Sequence, residues 1–181
     1  MGKIRASLDE AATRFIQAQR IFFVASAPLD AAGHINLSPK GLDTFRILSP
    51  TTVAYLDFNG SGVETIAHLK ENGRIVLMFC AFQGPPNIFR LYGHGRAVEP
   101  HDSEFAALAS HFGDTENARS IIVVELTRAT DSCGYGVPLF KYEGEREQLH
   151  AWARKKGPDG LKDYRQRKNR QSIDGLPGIA E

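Results

Sequence analysis

The sequence predicts a mainly β (α+β) fold, a small and mostly antiparallel barrel with peripheral helices. Three observations carry that reading. Roughly six or seven short runs have the apolar or alternating pattern of strands. Most are joined by turns too short for a crossover helix. The few helical stretches do not alternate with strands in the regular βαβα order of a doubly wound sheet.

The elements follow in chain order. "SLDEAATRFIQAQR" is a helix in which Ser7 and Glu10 have capping-box spacing and Leu8, Ala11, Ala12, Phe15 and Ile16 form one apolar stripe. "RIFFVAS" is a buried strand that ends in the turn-rich "APLDAAG". "HINLSP" alternates, with Ile35 and Leu37 on one face and His34, Asn36 and Ser38 on the other. After a loop come the strands "TFRIL" and "VAYLDF", then a helix over 61–72 that closes at Asn72-Gly73. "RIVLMFC" is an apolar strand. "IFRLYGHGRAV" is a long one whose glycines predict bending or close backbone approach. "HDSEFAALASHF" is a short amphipathic helix and "SIIVVELTRAT" the last strand. The remainder reads as a pair of polar helices and a Gly/Pro-rich tail. With 181 residues there is room for one domain with a sizeable core. Residues 1–181 are expected to form it, with 141–181 a helical extension packed on its surface.

Composition excludes several function classes. Lys and Arg number 22 against 21 Asp and Glu, so no overall charge favours nucleic acid or a membrane surface. The basic stretch 154–170 carries Asp159, Asp163 and a single aromatic, Tyr164, which suits a solvated helix face better than a stacking strip. "MGKIRASLDE" has no apolar h-region and no run has membrane-spanning length, so the expected compartment is the cytoplasm. No P-loop, GxGxxG, GxSxG or HExxH occurs, and Cys80 and Cys133 have no partner at ligand spacing. No metal site is expected, and the six histidines are read as surface or half-buried residues.

What stands out is the corner "NGSGVETIAHL". Ser61 can cap a helix between two glycines that relax the backbone. The same helix start, with free N–H groups and a positive dipole end, can instead hold an anion such as a phosphate.

The order strand–"GHINLSPKG"–strand–"VAYLDFNGSGVETIAHLKENGRIVLMF"–strand–"LYGHGRAV" resembles the pyridoxamine 5'-phosphate oxidase-like, FMN-binding split β-barrel family over about residues 8–130. The resemblance implies a six-stranded antiparallel split β-barrel, a homodimer with FMN at the subunit interface, and an oxidoreductase passing hydride or electrons between flavin and a small molecule. It also admits a flavin binder without turnover, or a binder of deazaflavin or haem on the same fold. On this resemblance Ser61 and Thr65 would give hydroxyl groups to the FMN phosphate, and Gly62 would let the backbone approach it. Asn36, Ser38, Pro39 and Lys40 would pass the ring or ribityl chain, and Tyr55, Leu56 and Asp57 would line the next strand. Asn169 would add a polar contact from the tail, and Trp152 would either anchor that segment to the barrel or serve plain helix packing. Where the family often has Ser-Arg-Lys, this chain has Ser61-Gly62-Val63, followed by Glu64. Lys40, Arg46 and Arg90 are the candidates for the missing charge. The tryptophan-arginine-histidine pattern of vitamin B6 oxidases is absent around Trp152, which argues against pyridoxamine phosphate as the substrate.

Overall fold

Burial alternates along the strands and fixes which side of the sheet is inside. In β2 (Phe22–Ser26) Phe22, Val24 and Ser26 are buried while Phe23 and Ala25 are half-exposed. The computed structural model describes residues 3–180; Met1, Gly2 and Glu181, including the last residue of the expected extension, lie outside the described residues. After β1 (Ile4–Arg5) and α1 (Glu10–Gln17), β2 leads to β3 (Asn36–Lys40), β4 (Phe45–Ser49) and β5 (Thr52–Phe58). Then come α2 (Glu64–Asn72), β6 (Arg74–Cys80), β7 (Ile88–Val98), α3 (Phe105–Ala109), β8 (Ala118–Ser132) and α4 (Gln148–Lys168).

All strand pairs are antiparallel, in the order β3-β2-β6-β7-β8-β5-β4, with β1 on β8. The seven runs expected to be strands are present. The eighth strand, β1, has two residues, too few to leave a periodic signal, so the sheet has eight strands and not six. It curls without closing: β3 and β4, at its two ends, are not paired with each other.

Inside the curl, Val24, Leu77, Leu91, Ile122 and Val124 pack with Ile16 of α1 and Ile66 of α2. Phe22, Phe45, Tyr55 and Phe79 form an aromatic knot with ring centroids 5.0–5.5 Å apart. Each such side chain stabilises the fold by about 1.5–3 kcal/mol through burial. A smaller cluster on the other face of β5 and β8 joins Ala54, Leu56, Ile121 and Val123 to Phe112.

Helix ends follow local chemistry. Asp9, and not Ser7, caps α1, its Oδ1 accepting from the Ala12 amide at 2.8 Å. The helix starts at Glu10, so the residue directly before it has the reach. α2 starts at Glu64 and not at Ser61; its N-cap is Val63, which has no side-chain acceptor. Its C-terminal end is as expected: Gly73 is left-handed (φ 72°) and donates to Leu69 O at 3.0 Å. α4 is two helices joined at Gly157 (φ 65°), before Pro158. Trp152 packs on Tyr164 across that joint, ring centroids 5.0 Å apart, so its observed aromatic partner is in α4 and not on the barrel. No helix among the described residues is long and apolar enough to cross a membrane.

Gly93 in β7 illustrates the close approach expected of that strand. It lies at a bulge against β8, and a Cβ there would collide with the Glu125 carbonyl oxygen. Gly93→Ala should therefore cost about 3 kcal/mol, because a sheet carbonyl cannot move aside as a flexible side chain can. Gly113, whose Cβ would meet nothing within 4 Å, is the control. Urea denaturation should show a clear loss for Gly93→Ala and little for Gly113→Ala; equal midpoints would contradict the bulge contact.

Candidate functional site

β3 is built the reverse of an ordinary barrel strand. Asn36, Ser38 and Lys40 turn inward, while Ile35 (78 % exposed), Leu37 (65 %) and Pro39 face out. The inward side of β3 looks across the open seam to β5 and the start of α2. Polar groups there need polar partners, since each buried donor or acceptor left alone costs about 1–3 kcal/mol.

Asp57 of β5 is the centre of that polar set. Its side chain is fully buried; Oδ1 accepts from Lys40 Nζ at 3.0 Å and Oδ2 from Arg119 Nε at 2.8 Å. Burial pushes the Asp57 carboxyl up. The charges of Arg119 and Lys40, with their hydrogen bonds, more than offset this and hold its pKa at about 2. Arg119 Nη1 also donates to Gly60 O at 3.1 Å, tying β8 to the glycine corner. Arg165 of α4 reaches the same corner through Asn59 Oδ1 at 3.4 Å. Asn169 completes it, donating from Nδ2 to Gly60 O at 2.9 Å.

A second chain of contacts runs beside the first. Asn36 donates to Thr65 Oγ1 at 2.9 Å and lies 3.5 Å from Ser26 Oγ, which in turn is 2.9 Å from His68 Nδ1. Burial lowers the His68 pKa, against the charges of Asp174, Glu64 and Glu71, and so favours a neutral ring. The Tyr55 hydroxyl is raised well above its usual value by burial and by Asp57, opposed by Arg119 and Thr65. Tyr55 Oη, His68 Nε2 and Asn169 Oδ1 are buried without a hydrogen-bond partner. Asn117 Nδ2 and Ser120 Oγ are buried without a partner as well, and of the five Tyr55 lies beside Asp57 and Thr65 of the polar set.

The tail closes the far side. Residues 169–180 fold back on themselves, with Ser172 N donating to Leu176 O at 2.9 Å and Ile179 buried in the main core. Asp174 accepts from His34 Nδ1 at 2.6 Å and from the His34 amide at 2.8 Å, clipping the tail to the approach to β3. Lys70 of α2 bonds both Gly178 O (2.6 Å) and Glu99 (2.7 Å).

Residues 8–133 match the family model for pyridoxamine 5'-phosphate oxidase. The chain belongs to the pyridoxamine 5'-phosphate oxidase family. It is 40 % identical over 178 residues to the family protein ustO of Aspergillus flavus, covering 89 % of this chain and 71 % of that one. Among solved structures, a candidate pyridoxamine 5'-phosphate oxidase from Lactobacillus delbrueckii aligns with TM-score 0.53 at 16 % identity, over 69 % of this chain and 94 % of that one. The FAD binding protein of Mycobacterium smegmatis aligns with TM-score 0.50 at 13 % identity, over 70 % of this chain and 96 % of that one. Both share the fold.

Within this family frame, the residues singled out from sequence divide into two groups. Asn36, Lys40, Tyr55, Asp57, Thr65 and Asn169 take part in the polar set described above, and Ser38 faces the same way. Leu56 points to the opposite side, into the smaller core, because neighbours along a strand alternate. Pro39 faces outward for the same reason, and Ser61 is exposed without capping α2. Gly62 lies under the Glu64 carboxylate: a Cβ there would collide with Glu64 Oε2. Arg90 is on the outer face of β7, donating to Ser132 Oγ at 3.1 Å, and Arg46 is held by Asp43 and the His111 carbonyl. The cations at the glycine corner are instead Arg119 and Arg165. Arg119 shows in the sequence only as a lone charge opening an apolar strand. His68, expected at or near the surface, is fully buried; it sits three residues after Thr65, on the same side of α2.

Asp57→Asn should destabilise the chain by about 3–5 kcal/mol near neutral pH, because Lys40 and Arg119 lose their counter-charge. The native carboxyl is depressed from 3.8 to about 2, so its ionic contribution, about 2 kcal/mol, is present above pH 4 and lost as pH falls through 2. The gap between the urea midpoints of the two proteins should accordingly narrow at low pH. A gap that stays constant down to pH 2 would show that the charge of Asp57 does not hold the seam.

Proposed function

We propose that the chain binds a flavin, FMN, in the cleft between β3 and the β5–α2 corner, and acts as an oxidoreductase on a small molecule. The observation that carries this reading is the inward polar side of β3, whose Asn36 and Lys40 reach Thr65 and Asp57, with the buried Tyr55 hydroxyl beside both. Asn36, Ser38, Thr65 and Tyr55 suit the hydroxyl groups of a ribityl chain. The Gly60–Gly62 corner, bordered by Arg119, Arg165 and Asn169, would take the phosphate. Only one phosphate-sized corner is assigned, and no dinucleotide fingerprint occurs, which favours FMN over FAD. Family membership and the fold shared with a protein named for FAD binding both support a flavin.

When bound, the flavin supplies transfer of hydride or electrons to or from the substrate. Lys40 would place a fixed positive charge beside the ring, with Asp57 holding the ammonium in position. His68, neutral and hydrogen-bonded to Ser26, would keep the floor of the cleft polar without adding charge. The outward Ile35 and Leu37 form an apolar strand face suited to a second copy of the chain, in keeping with a homodimer that shelters the flavin at its interface.

Two outcomes test the assignment. Protein reconstituted with FMN or FAD and then gel-filtered should retain FMN in preference, as read by visible absorbance and mass. Retention of FAD, deazaflavin or haem instead would overturn the FMN reading. Glu64→Gln should tighten FMN about two- to fivefold in a fluorescence titration, because a carboxylate beside the first turn of α2 competes with the phosphate for the same dipole. Unchanged or weaker binding would place the phosphate elsewhere.

A further inference from the structure

The outward side of β3 borders a second space. A cavity of about 1130 Å³ lies between the β2–β3 hairpin and the irregular segment 140–147 with the start of α4. Its floor is Phe23 and Pro39, cross-strand partners that both turn away from the barrel core. Ile21, Phe82, Phe140 and Leu149 add apolar walls. The roof is anchored at two points. The Phe140 amide donates to Phe82 O at 2.9 Å with the two rings 5.4 Å apart, and the Arg20 guanidinium lies 5.3 Å from the Tyr142 ring centre.

The charge of this lining is one-sided. Arg20, Lys40, Lys141 and Arg146 face a single carboxylate, Glu145, which accepts from the Tyr142 hydroxyl at 2.7 Å. Lys40 is held by Asp57, which it shares with Arg119, whereas Arg20, Lys141 and Arg146 form no salt bridge among the described residues. A greasy interior with uncompensated cations at its edge selects for molecules that combine an apolar body with an anionic group. The volume exceeds the usual few hundred Å³ of small-ligand sites and admits a bicyclic ring or a medium alkyl chain. At its inner end the cavity reaches Lys40, Gly41 and Leu42, where β3 ends beside the polar cleft.

We propose that this cavity is the substrate site and that it takes apolar carboxylates, aryl or alkyl, with the carboxylate at Arg20 and Lys141. Its role as a substrate site rests on the flavin reading; its ability to bind such molecules does not.

Isothermal titration of the full chain, with and without FMN, tests it using 1-naphthoate and decanoate against uncharged 1-naphthalenemethanol and cationic decylamine. Both carboxylates should bind at least tenfold more tightly than the other two, in the flavin-free protein as well. Arg20→Gln/Lys141→Gln should remove most of that preference while leaving naphthalenemethanol binding and the circular dichroism spectrum unchanged. Phe140→Ser should weaken all four probes. Binding that ignores charge, that survives the double substitution, or that favours pyridoxamine 5'-phosphate over both carboxylates would overturn the proposal. Naphthoate binding by a protein that retains no flavin would support the carboxylate site and overturn its role in flavin chemistry.

Discussion

Asp57 sits in the barrel wall with both carboxylate oxygens taken, one by Lys40 from the first strand of the sheet path and the other by Arg119 from β8. That arrangement solves a problem peculiar to an open barrel. The two ends of the sheet are not joined by backbone pairing, so side chains must hold the seam. A buried ion pair is weak evidence for stability, because desolvation offsets much of the attraction. Its value here is positional: it fixes the register of a polar strand against a polar corner that hydrophobic packing alone would not specify.

The inversion of β3 follows from the same constraint. Ile35 and Leu37 would conventionally point to the core, yet Asn36, Ser38 and Lys40 do so because Asp57 and Thr65 await them across the seam and Ser26 stands beside Asn36 on β2. The apolar residues are thereby turned out, so the two faces of β3 differ: one presents Asn36, Ser38 and Lys40 to polar partners, and the other borders the cavity beneath segment 140–147. The corner at Gly60 is fastened from three directions, by β8, α4 and the tail, which gives the C-terminal segment a structural reason to fold back over α2.

Much of the fold was legible because its signals are local. Apolar runs such as "RIVLMFC" and the Asn72-Gly73 stop depend on neighbours a few residues away, and they are found where expected. The site was legible only in part. "HINLSPKG" and "NGSGVET" point to the two stretches that contribute Asn36, Lys40 and Thr65 to the polar set, and strand periodicity separated Asn36, Ser38 and Lys40 from Ile35 and Leu37 without saying which set faces in. Arg119, 62 residues from Asp57, is a pairing that no local pattern reveals. Lys40 and Arg90 look alike in sequence, both cations on strands, yet they lie on opposite faces of the sheet. Serine suits a cap as well as an anion site, so the residue type alone does not locate the helix start; α2 begins at Glu64, after a valine that cannot cap, and the corner before it is held by Arg119 and Asn169.

We propose the seam closed by Asp57 as the place where the flavin binds. Hydrogen–deuterium exchange with and without FMN tests it most directly, since it locates the ligand without presupposing an activity. The account predicts added protection over residues 34–41 and 57–66, on the two sides of the cleft, with little change in β4 or α3. Protection confined to α4 or to the surface around Phe112, with 34–41 and 57–66 unaffected, would contradict it.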